Sequence, residues 1–404
     1  MKVRMNILSK YIKGDKYLWA FIFLLVLFSF LPVYSASSNL VHTVGSGTVF
    51  SHMGKHAAFL IVGIGIMIAF QKVDYKYFGG IALLAMPVII ILLLITLIQG
   101  NTIEGANASR WLTLPGTSIG IQTSTFASMI LLVYIARYLT RMNLKKKPIT
   151  FKNSLLYLFL PMFVILALIF PANGSTAIIL FFMCMTLLFV GGYPLKILGA
   201  IFGTGLFLST AFIYIAFNHS ELIPSSRVHT WQSRIESFMN DDGMVAYQVQ
   251  HAKAAINRGG IYGVGPGKSA FKQTLPQSSS DFIFAIIVEE YGLIGAAVII
   301  FIFVMILFRI VVIATKIHTF FGKLLVFAVG LPVIFQAFVN MGVAVHLFPV
   351  TGQPLPMISY GGTSLWVTCM AFGIILSVSR AIKSKEELEL LERKNTDEVI
   401  QDIA

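Results

Sequence analysis

Long apolar runs, each bounded by a short polar, basic or glycine- and proline-rich segment, recur along the whole chain. Ten of them lie near 17–35, 54–71, 78–98, 121–139, 153–170, 174–192, 195–217, 281–308, 323–345 and 363–383. Each is close to the ~20 residues a helix needs to cross the hydrocarbon core of a bilayer. Lipid offers the backbone no hydrogen bonds, so a spanning segment must be a helix or part of a closed barrel. Continuous runs of Leu, Ile and Phe lack the apolar–polar alternation of a barrel strand. The expected fold is therefore all-α. It is a polytopic integral membrane domain of about ten transmembrane helices over 1–383, with a charged tail over 384–404.

Composition agrees. The chain is 57% hydrophobic and 12% charged, against about 25% charged for soluble domains. The basic leader before the first run lacks a small-residue cleavage site, so no cleavable signal peptide is expected. With the N-terminus inside, most of the 30 Lys and Arg residues fall on inside segments, which predicts an N-in, C-in arrangement. The net charge of +13 is then a property of membrane topology, and no nucleic acid is called for. Three segments face outside: 99–120, the large loop 218–280, and 346–362. The last carries Pro349, Gly352, Pro354, Pro356, Gly361 and Gly362, a density that predicts a structured re-entrant or interfacial turn. Cys184 and Cys369 sit within apolar runs and read as small core residues. The tail, with Glu386, Glu387, Glu389 and Glu392 beside Arg393 and Lys394, reads as a solvated helix or a disordered end, with partner binding as the alternative.

Candidate chemistry gathers on the outside segments. Gly263-Val264-Gly265-Pro266-Gly267-Lys268-Ser269 imitates a phosphate loop, but Tyr262 stands where that loop needs its first glycine. Nucleotide binding is excluded, although the glycines could let backbone amides approach an anion beside Lys268 and Lys272. Leu275-Pro276-Gln277-Ser278-Ser279-Ser280 reads as a helix start, which would put Asp281 in the first helical turn. Asp281 is then either a capping residue or a reactive carboxylate at the interface. Glu289 and Glu290 lie deeper on the same helix and need a partner or a cavity. Gln336 and Asn340, four apart, share one helix face and either bridge helices or line a cavity. His229, His251 and His346 have no metal-ligand spacing and read as polar surface.

Several ordered blocks together give the chain a resemblance. They are Arg110-Trp111, Tyr247-Gln248, Gly259-Gly260-Ile261-Tyr262-Gly263-Val264-Gly265-Pro266-Gly267, Leu275-Pro276 through Asp281-Phe282-Ile283-Phe284, Glu289-Glu290-Tyr291-Gly292, Asn340, Pro349 through Pro356, and Ser359-Tyr360-Gly361-Gly362. The chain resembles, over about 15–383, the SEDS family (shape, elongation, division and sporulation), and within it the division-associated FtsW type more than the RodA type. The resemblance implies a peptidoglycan glycosyltransferase of the bacterial cytoplasmic (inner) membrane. It would polymerise lipid II, an undecaprenyl-pyrophosphate-linked disaccharide peptide, during cell division.

Asp281 matches the family's essential aspartate and would be the general base of a single, inverting displacement. Lys55, Arg110, Lys268 and Lys272 are candidates to balance the departing pyrophosphate. Trp111, Arg258, Glu289, Gln336, Asn340 and Ser359 complete the candidate substrate-binding set. A divalent cation such as Mg2+ could assist, no organic cofactor is implied, and no cluster of metal ligands is present. The implied partners are lipid II, a class B penicillin-binding transpeptidase, other division proteins and membrane lipid. Relatives often carry glutamate and lysine where this chain has Thr125 and Ser128, and aspartate where it has Ala172. Losing both members of a pair strands no buried charge. Two other functions fit a helical bundle: a lipid II flippase, and a non-catalytic scaffold recruiting the transpeptidase. Against the flippase, the polar residues gather on one face and no inverted repeat is visible.

Overall fold

A computed structural model of the chain describes residues 13–44, 48–99, 110–113, 120–144, 154–218 and 244–403. Its helices follow the apolar runs. α1 is Lys16–Val44, α2 Val49–Lys72 and α3 Phe78–Gln99; then comes a hairpin of β1 (Trp111–Thr113) and β2 (Gly120–Gln122). α4 is Thr123–Leu144, α5 Leu155–Ile169, α6 Gly174–Val190 and α7 Leu195–Asn218. The second half holds α8 (Met244–Gly259), α9 (Ile283–Lys316), α10 (Phe320–Ala344) and α11 (Gly362–Ile403).

Seven of these helices, α1 to α4 and α9 to α11, are long and apolar enough to cross a membrane. Shorter apolar stretches in α5, α6 and α7 occupy the other three expected positions. The bundle wears its apolar residues outward: Leu84, Ile98 and Phe207 are 76%, 78% and 71% exposed. Such faces suit lipid rather than water, and the chain is a multi-pass membrane protein. α11 runs on without a break through the charged tail to Ile403, which favours the helical reading of that segment. His229 and residues 105–109 lie outside the described residues.

Two apolar cores organise the bundle. One joins α1, α2 and α8 to α9 and α11, with Leu25, Met67, Phe282, Phe303 and Phe372 fully buried. The other joins α3, α4, α5 and α6 around Leu131, Ile135, Phe159 and Leu188. α10 serves both, giving Val329 and Ile334 to the first and Leu324 and Ala328 to the second.

α9 is broken at Gly292, where φ 66 and ψ −167 are open essentially to glycine alone. A break inside an apolar helix exposes backbone groups that normally bond four residues apart. Here the glycine-rich loop after α8 takes all four. Val264 N–H donates to the Glu289 carbonyl at 2.9 Å and Gly265 N–H to the Glu290 carbonyl at 3.0 Å. Leu293 and Ile294 N–H donate back to the carbonyls of Gly260 and Ile261 at 2.9 and 3.3 Å. The approach is too close for side chains: a Cβ on Gly263 would strike the Glu290 carbonyl, and one on Gly292 the Ile261 carbonyl. The phosphate-loop imitation is thus a main-chain splint for a broken helix.

Two glycines separate conformation from space. Gly260 also has positive φ, at 51, but a Cβ there meets nothing within 4 Å, and asparagine tolerates that region. Gly260→Asn is expected to leave thermal unfolding in detergent nearly unchanged. Gly292→Asn should cost at least about 1–3 kcal/mol and lower the melting temperature clearly, as read by intrinsic fluorescence.

Candidate functional site

The loop that splints α9 also collects the deep carboxylates. Glu289 is fully buried, and its carboxylate accepts from Arg258 Nη1 and Ala270 N–H, both at 2.9 Å, and from the Ser269 hydroxyl. Glu290 is 1% exposed and accepts from the Ser35 hydroxyl of α1 and from Ser269 N–H at 3.4 Å. The anion approached by the loop's amides is therefore the protein's own. Lys272 is likewise committed, its Nζ donating to the Gly267 carbonyl at 2.7 Å. Among the candidate substrate-binding residues, Arg258 thus pairs with Glu289 while its side chain stays 45% exposed, and Lys272 bonds the loop backbone. Lys268 is exposed on the loop, its stem beside Gly265. Lys55 is exposed on α2.

Asp281 lies elsewhere than expected. Residues 271–282 are successive turns, and α9 begins only at Ile283, without a side-chain cap. The serines bond locally instead. Ser278 Oγ donates to the Lys272 carbonyl at 3.0 Å and Ser280 Oγ to Gln277 Oε1 at 2.7 Å, while Gln277 adopts φ 56. Short hydroxyl side chains offer the backbone this alternative to a helix. Asp281 is consequently two residues ahead of the helix, half-buried, on a turn.

That turn is held from the opposite side by the 345–361 segment, which is non-helical and glycine- and proline-rich as the sequence predicts. Ser359 Oγ donates to the Ser280 carbonyl at 2.6 Å, and Tyr360 N–H to the Ser279 carbonyl at 2.9 Å. Asn340, on α10 and 1% exposed, bridges the two strands of chain. Its Nδ2 donates to the Asp281 carbonyl at 2.7 Å and the Gln353 carbonyl at 2.8 Å. One turn away on the same face, Gln336 Nε2 donates to the Pro354 carbonyl at 2.9 Å. Both alternatives for the Gln336–Asn340 pair hold: the residues bridge segments and Gln336 also lines a cavity.

Gly352, at φ 71, marks the centre of the site. A Cβ placed there would lie 3.5 Å from Asp281 Oδ2 and 3.9 Å from Arg110 Nη1. A carboxylate and a guanidinium thus both come within van der Waals contact of the position a Gly352 side chain would take. Arg110 is oriented by its Nε, which donates to the Ala172 carbonyl at 2.9 Å. Ala172 serves through its backbone, so an aspartate is not needed there for this contact. Trp111 follows in β1, paired with Gln122. The hairpin is pinned to α11 where Thr363 Oγ1 donates to the Gly120 carbonyl at 3.1 Å.

From Gly352 an open cleft descends along the seam between the two apolar cores. Its upper part is polar, with Gln353, Gln336, Thr176 and Gln122; its lower part is apolar, with Met183, Ala328 and Ala371. Thr125 and Ser128 line it midway, so neither leaves a charge without a partner. Among the described residues no three His, Cys, Asp or Glu side chains converge in a metal-ligand cluster.

Two features escaped the sequence reading. Gln353 Nε2 reaches Thr176 Oγ1 of α6 at 2.8 Å, tying the turn to the second core. His52 and His56 are buried on α2, with ring centroids 6.0 and 6.2 Å from that of Tyr360. Their four-residue spacing on an apolar helix was the available signal.

Comparison with known proteins gives a consistent result. A sequence profile of the FtsW, RodA and SpoVE family, described as cell cycle protein, matches residues 15–384. A probable peptidoglycan glycosyltransferase FtsW of Geobacter metallireducens is 31% identical over 362 residues, 89% of this chain and 92% of that protein. Another, of Saccharophagus degradans, is 34% identical over 339 residues, 81% of this chain and 82% of its own length. Two solved structures share the fold. One, described as a peptidoglycan synthase complex coordinating polymerization and crosslinking, has a TM-score of 0.73 at 23% identity, covering 91% of this chain and 98% of that one. The other, the rod shape determining protein RodA of Thermus thermophilus, has a TM-score of 0.64 at 21% identity, covering 92% and 98%.

Asn340 is the test of this architecture. Asn340→Leu leaves the carbonyls of Asp281 and Gln353 without that donor, at about 1–3 kcal/mol for each buried group left unpaired. The melting temperature should fall clearly, as it should for Ser359→Ala, which removes a hydroxyl that donates to the Ser280 carbonyl and accepts from Leu355 N–H at 2.7 Å.

Proposed function

The chain belongs to the FtsW, RodA and SpoVE family of cell cycle proteins, and from that premise we propose that it is a peptidoglycan glycosyltransferase acting on lipid II. The observation that carries the reading is the pairing of Asp281 and Arg110 around Gly352 at the mouth of the cleft. Joining two lipid-linked sugars needs a base for the attacking hydroxyl and a cation for the departing pyrophosphate. One carboxylate and one guanidinium beside a position without a side chain meet both needs.

In this reaction the Asp281 carboxylate takes the proton of the acceptor sugar's hydroxyl. The freed oxygen pair forms the bond to the donor's anomeric carbon. The bond from that carbon to the pyrophosphate oxygen breaks, and its electrons leave with the lipid pyrophosphate towards Arg110. A single displacement inverts the anomeric configuration. Asp281 is the carboxylate at the mouth that would hold a divalent cation such as Mg2+, which would supply further positive charge for the departing pyrophosphate.

The cleft's polar mouth and apolar depth suit a sugar pyrophosphate carrying an isoprenoid chain. We place the mouth on the extracytoplasmic side of the cytoplasmic (inner) membrane, with both termini inside, on the asymmetry of basic residues. A class B penicillin-binding transpeptidase is the partner we expect, beside other division proteins; the similarity to one chain of a peptidoglycan synthase complex supports it.

Asp281→Asn preserves size and removes the base. With the chain and its transpeptidase supplied with labelled lipid II in detergent, polymerisation should fall by about 10²–10⁴-fold while lipid II still binds. Glycan polymer at the normal rate from Asp281→Asn would refute the assignment. Lipid movement across vesicles without polymer would favour a flippase.

A further inference from the structure

Three consecutive carbonyls lead into α9, and each is held from outside the turn. Ser279 accepts from Tyr360 N–H, Ser280 from the Ser359 hydroxyl and Asp281 from Asn340. Two of the three donors belong to Ser359 and Tyr360, so the Asp281 turn is only as firm as that pair. Ser359 bonds back to Leu355 within its own segment, and Asn340 and Gln336 tie that segment to α10. The chain beyond adds little, because a Cβ on Gly361 would meet nothing within 4 Å. On the side away from α10 the tie is the ring of Tyr360.

α2 supplies what that ring rests against. His52, His56 and Phe59 are four and three residues apart, a spacing that places them on one helix face. Their ring centroids lie 6.0, 6.2 and 6.4 Å from that of Tyr360, distances at which aromatic rings attract. Two of the three rings are themselves held. Ser29 of α1 gives its one hydroxyl hydrogen to the Val26 carbonyl at 2.7 Å. Towards His56 Nε2, 3.0 Å away, its oxygen can therefore only accept, so that nitrogen carries a proton and α1 sets the ring's orientation. Phe59 packs edge-on to Trp366 of α11, with centroids 5.8 Å apart.

The other imidazole nitrogens show which property of the histidines is used. Both nitrogens of His52 and Nδ1 of His56 are buried without a hydrogen-bond partner. Unpaired buried polar atoms cost stability, so what these side chains contribute at Tyr360 is the ring and its packing.

We propose that this aromatic face of α2 positions the Asp281 turn, with Tyr360 as the link and His52, His56 and Phe59 as positioning residues. The proposal rests on the reading of Asp281 as the base. A misplacement of about 1 Å costs up to about 100-fold in rate. No residue of α2 lines the cleft below Gly352, so loosening Tyr360 lowers turnover and leaves binding alone.

Leucine and phenylalanine separate the ring from its bulk. The full chain with its transpeptidase is assayed on labelled lipid II, and kcat is expressed per chain that binds lipid II. His52→Leu combined with Phe59→Leu leaves His56 alone against Tyr360. Its kcat should fall by about 10–100-fold with KM unchanged. His52→Phe keeps a ring and removes two unpaired nitrogens, so it should keep the parent's kcat and a melting temperature no lower. The acid limb of the kcat–pH profile, which reports the base in the bound complex, should stay in place in both. A normal kcat in the double variant, an equal loss in His52→Phe, or a shifted acid limb overturns the proposal.

Hydrogen exchange reads the same link without turnover. Amides of residues 278–282 should exchange faster in the double variant, while those of 286–291 keep the parent's protection. Faster exchange in both stretches, as general loosening gives, or in neither, overturns the proposal. If the parent forms no polymer and 278–282 still loosen selectively, the glycosyltransferase reading fails while the link from α2 to this turn stands.

Discussion

The break in α9 at Gly292 is the constraint on which the rest of this molecule turns. An interrupted helix in an apolar setting must find partners for its freed amides and carbonyls, because lipid supplies none. The loop 259–267 supplies all four bonds, and it can do so only because Gly259, Gly263 and Gly292 lack side chains where main chains touch. Once the loop is fixed there, Ser269 and Ala270 stand over Glu289 and Glu290, and Ser35 brings α1 to the same point. Buried carboxylates that would otherwise be costly become the ties that hold loop, helix and bundle together. The chain emerging from this anchor has one short course left to α9, and Asp281 lies on it.

The active face is built at a seam. Two apolar cores meet along α10, and the polar groups that neither core could bury alone are collected where they meet. Asn340 holds the Asp281 turn to the Gln353 turn, Gln336 secures Pro354, and Gln353 reaches α6. The carbonyls of irregular backbone are thereby satisfied at membrane depth by side-chain amides. That permits a cleft with a polar mouth to open into an apolar bundle without leaving that backbone unbonded. Rigidity around Gly352 follows from the same bonds, and rigidity is what a base and a charge-stabilising cation require.

Sequence alone determined the bundle and the identity of Asp281 as the residue to watch. Spans are legible because each must satisfy its own backbone and face lipid, so about twenty apolar residues in a row carry the information locally. The blocks around Arg110, Asp281, Asn340 and Ser359 were legible through resemblance, and those residues do converge. Only tertiary structure decided which partners the charged groups take. That Glu289 needs a partner was legible, but a sequence does not show that the partner is Arg258, 31 residues away. The serines before Asp281 looked like a helix cap because local propensity cannot weigh bonds to the 345–361 segment, 79 residues distant at Ser359. The setting of Arg110 was invisible for the same reason: α3, α4 and the start of α6 meet it only after the bundle has closed, and closure is set by packing between segments rather than by periodicity within them.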